Sequence, residues 1–273
     1  MKPHSIVYVH SGSIGDIFYS LPFCVEFARA CGQEHFDFII KSNTPFEFNP
    51  QGHPSGSVLI NNHLAQFTLP LLQAQSYIQN VHIIEHEHFD MAQWQQSHDK
   101  VLILDEFRRL PLNFRANYIP NYYYALSNVI LPKNFHQPII QAPKDNRAEG
   151  KIVLFRSHRY RNELCDYQGL SNFASKMLFI GLSNEHQDFE ERFFTCPFLP
   201  VKDALEAASL MQAAAINIGN QTGLFSIAEM MKVPRLLEQS QLVPNVLTLG
   251  GLGQEFISTQ HLSRLTQSHI KYE

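Results

Sequence analysis

Three loops in the sequence combine residue types that could move a proton or bind an anion. The first is SGSIGD, residues 11–16, which joins an apolar run to a run with helical spacing and contains Ser13, Gly15 and Asp16. A carboxylate at a helix start is commonly an N-cap that contributes about 1 kcal/mol, and it could also act as a general base. The spacing alone favours the cap.

The second loop follows an apolar run in the later part of the chain. Gly219 and Asn220 end a predicted strand, Thr222 and Gly223 form a turn, and Leu224 begins a predicted helix. Free N–H groups at a helix start, with the Thr222 hydroxyl beside them, are suited to binding a diphosphate. A glycine-containing turn capped by threonine explains the same residues equally well.

The third loop is rich in arginine. FRSHRYRNE, residues 155–163, places Arg156, Arg159 and Arg161 directly after a predicted strand. A planar guanidinium can donate two parallel hydrogen bonds to phosphate oxygens. Any one of these arginines is more commonly part of a solvated basic loop, but three of them in a chain of net charge −4 favour anion binding.

A fourth group of charged residues follows the fourth predicted strand. It contains Asp105, Glu106, Arg108 and Arg109. These side chains could contact a substrate. A surface cluster of salt bridges is the more common explanation for such a group, and it is the one that the sequence favours.

The sequence argues against a bound cofactor or metal. The first loop has Gly12 and Gly15 without the full GxGxxG pattern, and the second predicted strand ends in Lys41 rather than in the acidic residue that binds a ribose. A nicotinamide cofactor is therefore not expected. His86 and His88 could ligate a metal, but the sequence offers no third ligand beside them.

Strands and helices must position these loops, and the sequence alternates between the two. Strands are predicted at 5–10, 36–42, 81–86, 101–107, 151–155, 177–182, 214–220 and 234–238. Helices are predicted at 17–32, 63–78, 204–214 and 224–232, with a broken helix at 111–130. Such alternation predicts an α/β fold with parallel sheets covered by helices, in which ligands bind beyond the carboxyl ends of the strands.

A proline-containing polar segment at 131–150 interrupts this pattern. Its composition is typical of an interdomain linker. We therefore predict an N-terminal Rossmann-like domain at 1–135, a linker at 136–150 and a C-terminal Rossmann-like domain at 151–273.

Composition narrows the possible partners. The chain has 273 residues, of which 44% are hydrophobic, so it can build substantial cores. A net charge of −4 argues against nucleic-acid binding, which depends on a basic surface. No run approaches the roughly 20 apolar residues of a membrane span, and the first residues do not read as a secretory signal, so we predict a cytoplasmic protein without an integral membrane segment.

Taken together, these residues resemble a known family. Gly15-Asp16 followed by Leu21-Pro22, and Gln221-Thr222-Gly223-Leu224 followed by Ala228 and Pro234, are similar in order and spacing to motifs of the heptosyltransferase-related branch of the GT-B glycosyltransferases, family 9. The resemblance marks a divergent and short member. It implies the GT-B fold, two Rossmann-like domains facing across a cleft, and activity without a bound metal.

The resemblance also implies roles for individual residues. Asp16 would be the base that takes a proton from an acceptor hydroxyl, and the sugar would be transferred with inversion. Thr222, Gly223 and Leu224 would hold the donor diphosphate, and Glu185 would lie near the donor ribose. The predicted substrate-binding set is Ser13, Gly15, Arg156, Ser157, Arg159, Arg161, Glu185, Gln221, Thr222, Gly223 and Leu224.

The expected activity is therefore transfer of a sugar from a nucleotide-diphosphate sugar to a glycan or lipid-linked acceptor. Two alternatives are kept. A GT-B epimerase or hydrolase would recruit acids such as Glu229 and Glu238. A non-catalytic sugar-nucleotide-binding protein is suggested by Gln221 and Ser226, which stand where the family usually has an aspartate and a histidine.

Overall fold

The computed structural model describes residues 5–46, 56–115 and 117–271. The chain forms two units, Met1–Asn134 and Phe135–Glu273. Residues 136–150, predicted as a linker, fall in the second unit. The N–H groups of Ile139 and Ile140 donate to the carbonyl of Met230, which attaches this segment to the second unit.

The first unit is built on a parallel sheet of four strands in the order β3-β2-β1-β4. Its strands are β1 (Ile6–His10), β2 (Phe36–Ser42), β3 (Ile78–Glu85) and β4 (Lys100–Ile103). Its helices are α1 (Ile14–Ala30), α2 (Asn62–Gln73), α3 (Met91–Ser97) and α4 (Pro120–Tyr124). All five residues of β1 are buried, as expected for a central strand covered on both faces.

The second unit is built on a parallel sheet of five strands in the order β6-β5-β7-β8-β9. Its strands are β5 (Ile152–Phe155), β6 (Met177–Phe179), β7 (Ile216–Asn220), β8 (Arg235–Glu238) and β9 (Gly253–Phe256). Its helices are α5 (Ser183–Arg192), α6 (Ala204–Ala213), α7 (Gly223–Met231) and α8 (Thr259–Lys271). The core joins strand residues such as Leu154, Ile218 and Leu236 to Phe189 of α5 and Leu262 of α8.

The α/β class with parallel sheets is confirmed, and several local predictions need correction. The fourth strand ends at Ile103, and a 3₁₀ segment follows over 104–109, in which Leu104 and Phe107 are buried. The broken helix predicted at 111–130 is reduced to α4. Four elements were not predicted at all, namely α3, α5, β9 and α8.

The helices of the described regions were also compared with the length and hydropathy that a bilayer requires. None of them is both long and apolar enough to cross a membrane. The longest, α1, contains 17 residues.

Candidate functional site

The loop of residues 11–16, here the Asp16 loop, lies where β1 ends and α1 begins. Ser13 is the N-cap residue of α1 and Asp16 lies in its first turn, so the interpretation of Asp16 as the N-cap is wrong. Gly15 lies in the same turn. The Ser13 side chain makes no capping hydrogen bond, and its Oγ instead donates to Oδ2 of Asp16 at 3.2 Å. The carboxylate is therefore free of a capping role.

Arg108 is the second partner of Asp16. Strands β1 and β4 are neighbours, so the 3₁₀ segment after β4 lies beside the Asp16 loop. Nη2 of Arg108 donates to Oδ2 of Asp16 at 2.8 Å. The Asp16 side chain keeps 21% exposure, and its other oxygen, Oδ1, accepts no hydrogen bond from any residue that the structure describes. One carboxylate oxygen is thus held while the other is available.

Asp105 supports this arrangement from the opposite side. Its Oδ2 accepts hydrogen bonds from the backbone N–H of Ser11 at 2.7 Å and from the Ser11 hydroxyl at 2.8 Å. Its Oδ1 lies 3.8 Å from Nε of Arg108. Partial burial alone would lower the pKa of Arg108, but the negative charges of Asp16 and Asp105 outweigh it and raise that pKa. Arg108 therefore stays a cation beside Asp16.

A buried chain of hydrogen bonds holds the backbone of the same loop. The N–H of Gly12 donates to Nδ1 of His10 at 2.8 Å, which assigns the ring proton to Nε2. Nε2 lies 2.8 Å from the hydroxyl of Tyr123, which in turn donates to the carbonyl of Asp16 at 2.9 Å. A Cβ on Gly12 would lie 2.5 Å from Cε1 of His10 and 2.9 Å from Cβ of Asp16, so this position requires glycine.

His10 makes the stability of the first unit depend on pH. The ring is fully buried, and burial lowers its pKa although Asp105 and Asp16 oppose the shift. The unfolded ring binds a proton near pH 6.5 and the folded ring does not. The free energy of unfolding should therefore fall as pH drops below about 6.5, by at most about 1.4 kcal/mol per pH unit.

Urea unfolding between pH 8 and pH 5 tests this expectation in wild type and His10→Gln. Loss of the ring lowers stability at every pH, but the variant should lack the additional slope below the unfolded pKa. Equal slopes in the two proteins would show that His10 is not held neutral by the fold.

In the second unit, the Thr222 turn, residues 220–224, joins β7 to α7. Thr222 is the N-cap of α7, and its Oγ1 accepts a hydrogen bond from the N–H of Phe225 at 3.0 Å. Across the described residues, the N–H groups of Gly223 and Leu224 donate to no protein acceptor. The threonine cap predicted from the sequence is therefore present. Two N–H groups of the same turn have no acceptor in the described residues, so anion binding there stays a prediction.

Gln221 ties the Thr222 turn to the segment that follows β8. The side chain is buried, its Nε2 donates to Asn245 at 3.0 Å, and its Oε1 accepts from the N–H of Ser240 at 3.2 Å. Ser226 is also buried, and its hydroxyl donates to the carbonyl of Gly223 at 2.6 Å. The hydrogen bonds of Gln221 and Ser226 therefore stabilise the conformation of the Thr222 turn.

The basic loop, residues 156–162, follows β5, which pairs with β7. Asn220 at the end of β7 joins the two. Its Oδ1 accepts from the N–H of Ser157 at 3.0 Å, and its Nδ2 donates to the carbonyls of Ser157 at 3.1 Å and Arg159 at 2.5 Å. The basic loop and the Thr222 turn therefore lie together at the carboxyl edge of the second sheet.

The three arginines of this loop have different environments. Arg156 is buried and makes a bidentate pair with Glu238, with distances of 2.7 Å from Nε to Oε2 and 2.9 Å from Nη2 to Oε1. Nη1 of Arg161 lies 2.8 Å from Oδ2 of Asp188. Arg159 stacks on Tyr160, a non-glycine residue in the left-handed region with φ of 54°, and donates to its hydroxyl. Of the three arginines in this loop, Arg159 is the one that pairs with no carboxylate of the described residues.

Glu238 collects further donors around the Arg156 pair. The Tyr167 hydroxyl donates to it at 2.8 Å and the N–H of Asn162 donates to it at 2.6 Å. Burial alone would lower the pKa of Arg156, but the hydrogen bonds to Glu238 outweigh that effect and raise it. The pair anchors both ends of the basic loop to β8 and occupies Nε and Nη2 of Arg156, whereas its buried Nη1 has no hydrogen-bond partner in the described residues.

Glu185 lies in the first turn of α5, after β6. Its Oε2 accepts a hydrogen bond from the N–H of Leu182 at 3.2 Å, and burial raises its pKa. β6 neighbours β5, so Glu185 follows a strand beside the basic loop.

The acids considered for an epimerase are buried in the second unit. Oε2 of Glu229 accepts from Arg235 at 2.6 Å, and the carboxylate also bonds Lys232 and the N–H of Leu249. Glu238 is likewise 0% exposed. Both carboxylates are therefore occupied by structural ion pairs.

Sequence reasoning missed the roles of several residues that shape the Asp16 loop, the Thr222 turn and the basic loop. Arg108 and Asp105 were interpreted as a surface cluster, and His10, Tyr123 and Asn220 were given no role. Four of these residues lie at or after strand ends, which was their signal in the sequence. Tyr123 lies in α4, within the segment predicted as a broken helix at 111–130. Each acts through a partner that is distant along the chain, such as the pair between Arg108 and Asp16, 92 residues apart.

The sequence and the structure were compared with those of known proteins. No protein-family model matches the sequence, and no curated protein matches it significantly. A glycosyl transferase family 9 protein from Veillonella parvula is similar in structure, with a TM-score of 0.67, 11% identity and coverage of 100% of this chain and 99% of the other. ADP-heptose LPS heptosyltransferase II of E. coli has a TM-score of 0.65, 12% identity and coverage of 98% and 99%.

The E. coli heptosyltransferase WaaC with ADP is also similar, with a TM-score of 0.63, 10% identity and coverage of 97% of this chain and 99% of the other. Identities this low carry information about the fold alone. The resemblance seen in the motifs is thus confirmed at that level: the chain has the fold of the family 9 glycosyltransferases and heptosyltransferases.

Proposed function

We propose that this protein is an inverting, metal-independent glycosyltransferase that moves a sugar from a nucleotide-diphosphate sugar to an acceptor hydroxyl. The observation that carries the proposal is a carboxylate oxygen, Oδ1 of Asp16, that accepts no hydrogen bond from the described residues, on a chain with the heptosyltransferase fold. The proposal includes the GT-B arrangement, in which an N-terminal domain at 1–135 and a C-terminal domain at 151–273 bind their substrates across a cleft.

Asp16 is the general base of the proposed reaction. Its Oδ1 accepts the proton of the acceptor hydroxyl as that oxygen attacks the anomeric carbon of the donor. The bond from this carbon to the diphosphate breaks on the opposite side, and the nucleoside diphosphate leaves with the electron pair. A single displacement of this kind inverts the anomeric configuration. Positioned base catalysis typically contributes about 10²–10⁴-fold in rate.

The Thr222 turn and the basic loop are the proposed anion site. The N–H groups of Gly223 and Leu224, the Thr222 hydroxyl and the positive end of the α7 dipole would stabilise charge on the leaving diphosphate. The Arg159 guanidinium would supply further donors from the basic loop, beyond its hydrogen bond to Tyr160. Ser157 would hold the shape of that loop, because its N–H donates to Asn220 and its hydroxyl to the carbonyl of Arg159. This set accounts for charge stabilisation from the chain's own residues, which is the support for a metal-independent reaction.

Most of the other predicted binding residues hold the loops in place in this proposal and do not contact the substrate themselves. Arg156 anchors the basic loop through Glu238, and Gln221 shapes the Thr222 turn. Arg161 holds Asp188 beside the same loop. Ser13 and Gly15 form the helix start that carries Asp16, and Glu185 remains the proposed partner of the donor ribose.

An ADP-linked sugar is the first donor to test, because one similar structure is an ADP-heptose LPS heptosyltransferase and another is a heptosyltransferase with ADP. The acceptor would be a glycan or a lipid-linked sugar, and a cytoplasmic site of action would give access to nucleotide sugars.

Binding of ADP-, GDP-, UDP- and CMP-sugars is compared by thermal shift. A ligand at 100 times its Kd should stabilise the protein by about 2.7 kcal/mol.

Gly223→Pro tests the anion site with a matched control. Proline is favoured at the first helical position and removes one N–H, whereas Gly223→Ala adds a side chain and keeps that N–H. Loss of one charge-assisted hydrogen bond should weaken ADP-sugar binding by about 1.5–3 kcal/mol, or roughly 10–150-fold, in the proline variant only. Isothermal titration calorimetry measures this difference.

Two outcomes would contradict the proposal. Equal affinities of the proline and alanine variants would remove the Thr222 turn from donor binding. Donor binding without transfer to any acceptor and without release of the nucleoside diphosphate would instead identify a nucleotide-sugar-binding protein.

A further inference from the structure

The Asp16 carboxylate is held asymmetrically. Oδ2 accepts hydrogen bonds from Ser13 Oγ at 3.2 Å and from Arg108 Nη2 at 2.8 Å, whereas Oδ1 accepts none from the described residues. The Arg108 contact is the shorter of the two, and it is the one that carries a charge. A carboxylate whose two oxygens differ in this way has a defined orientation around its terminal bond.

Arg108 is itself fixed by contacts on its own turn. Its guanidinium lies over the ring of Phe107, 4.9 Å from the ring centroid, and its Nε lies 3.8 Å from Oδ1 of Asp105. That Oδ1 is buried and has no hydrogen-bond partner in the described part of the chain, so the guanidinium and the His10 ring are the polar groups near it. Asp105 is anchored by Ser11 in turn.

These contacts form a closed circuit. It begins at Ser11, passes through Asp105 and Arg108 of the 3₁₀ segment after β4, and returns to Asp16, five residues after its start. A circuit of this kind restrains the position of Arg108 through neighbours on both sides. These neighbours restrain the way in which the guanidinium meets the carboxylate.

We propose that Arg108 is a positioning residue that binds Oδ2 of Asp16 and presents Oδ1 to the acceptor hydroxyl. This inference rests on the proposed function, in which Asp16 is the base. Proton transfer requires the accepting oxygen within hydrogen-bonding distance and in line with the hydroxyl. A misplacement of about 1 Å can lower a rate by about 10²-fold, so the orientation that Arg108 imposes affects turnover without contact to the donor.

The charge and the geometry of Arg108 can be separated by substitution. Arg108→Gln removes the charge, and Arg108→Lys keeps the charge but loses the planar fork. Arg109→Gln is the matched control, because Arg109 is the next residue, its side chain is 79% exposed, and it pairs with Glu106 instead of Asp16. All three variants and wild type are compared by circular dichroism and thermal unfolding before use.

The test follows ADP release from ADP-heptose. In Arg108→Gln, kcat should fall by about 10²-fold while the donor Kd stays within about twofold of wild type. Arg109→Gln should keep the wild-type kcat, and an Arg108→Gln kcat equal to it overturns the inference. Arg108→Lys should also lower kcat, because it loses the planar fork. If the glutamine variant does not fold, an unchanged kcat in the lysine variant overturns the inference.

The proposed function and the positioning role of Arg108 can be contradicted separately. Wild-type turnover in Asp16→Asn would contradict the proposed function, whatever Arg108 does. An inactive Asp16→Asn together with an Arg108→Gln kcat equal to that of Arg109→Gln would overturn the role of Arg108 and leave the proposed function intact.

Discussion

Replacing Asp16 with asparagine is expected to lower the rate of sugar transfer by about 10²–10⁴-fold while the donor Kd stays near its wild-type value. An amide has the shape of the carboxylate but cannot accept the acceptor's proton. Arg108 would hold the amide oxygen where Oδ2 now lies, because a guanidinium only donates hydrogen bonds. The amide nitrogen would then occupy the place of Oδ1 and present a donor where the reaction needs an acceptor.

Initial rates of nucleoside diphosphate release and calorimetric donor binding test this expectation together. Glu106→Gln is a suitable control, since Glu106 is a neighbouring carboxylate, 44% exposed, whose pair is Arg109. It should retain wild-type turnover. A fully active Asp16→Asn would exclude Asp16 as the base, and a loss of donor affinity equal to the loss of rate would assign it to binding instead.

Replacing Arg156 with methionine is expected to destabilise the second unit by about 3–5 kcal/mol. The substitution leaves Glu238, which is 0% exposed, without the cation that balances it. Tyr167 and Asn162 still donate to the carboxylate, but neither carries a charge. The N–H of Asn162 belongs to the basic loop, so donor binding should weaken in the same variant.

Urea unfolding of the full chain measures this cost. Arg159→Met is the control, because Arg159 contacts the exposed Tyr160, and its substitution should change stability by no more than about 0.5 kcal/mol. The double variant Arg156→Met/Glu238→Gln removes both charges and keeps an acceptor for Tyr167 and Asn162. Its loss of stability should be smaller than the sum of the two single losses. Additive losses would show that the two residues do not act as a pair.

Much of the fold could be predicted from the sequence, because its signal is local. The prediction of β2 at 36–42 matches Phe36–Ser42, and the predicted helices at 204–214 and 224–232 differ by a residue from α6 and α7. Those segments are apolar and their spacing is regular. By contrast, Phe189 is the buried residue of α5, which otherwise reads as a polar run, so apolar periodicity could not reveal that helix.

The candidate site could be predicted only in part. The sequence located the three loops, since a strand followed by glycine, serine or arginine and then a helix is visible in the order of residues. It could not assign partners. Arg156 and Arg159 look alike in sequence, but one lies in a bidentate pair with a carboxylate 82 residues away and the other lies against an exposed tyrosine.

The sequence by itself determined the α/β class, the loops at the strand ends and the residue types available for chemistry there, because hydrophobic periodicity and turn residues act over a few positions. Only the tertiary structure decided which charges are neutralised and which stay available. Arg108 meets Asp16 because β4 and β1 are neighbouring parallel strands. Glu238 meets Arg156 because β8 and β5 both pair with β7, which brings their carboxyl ends to one edge of the sheet. Ion pairing and burial depend on distances in space, which the order of residues along the chain does not contain.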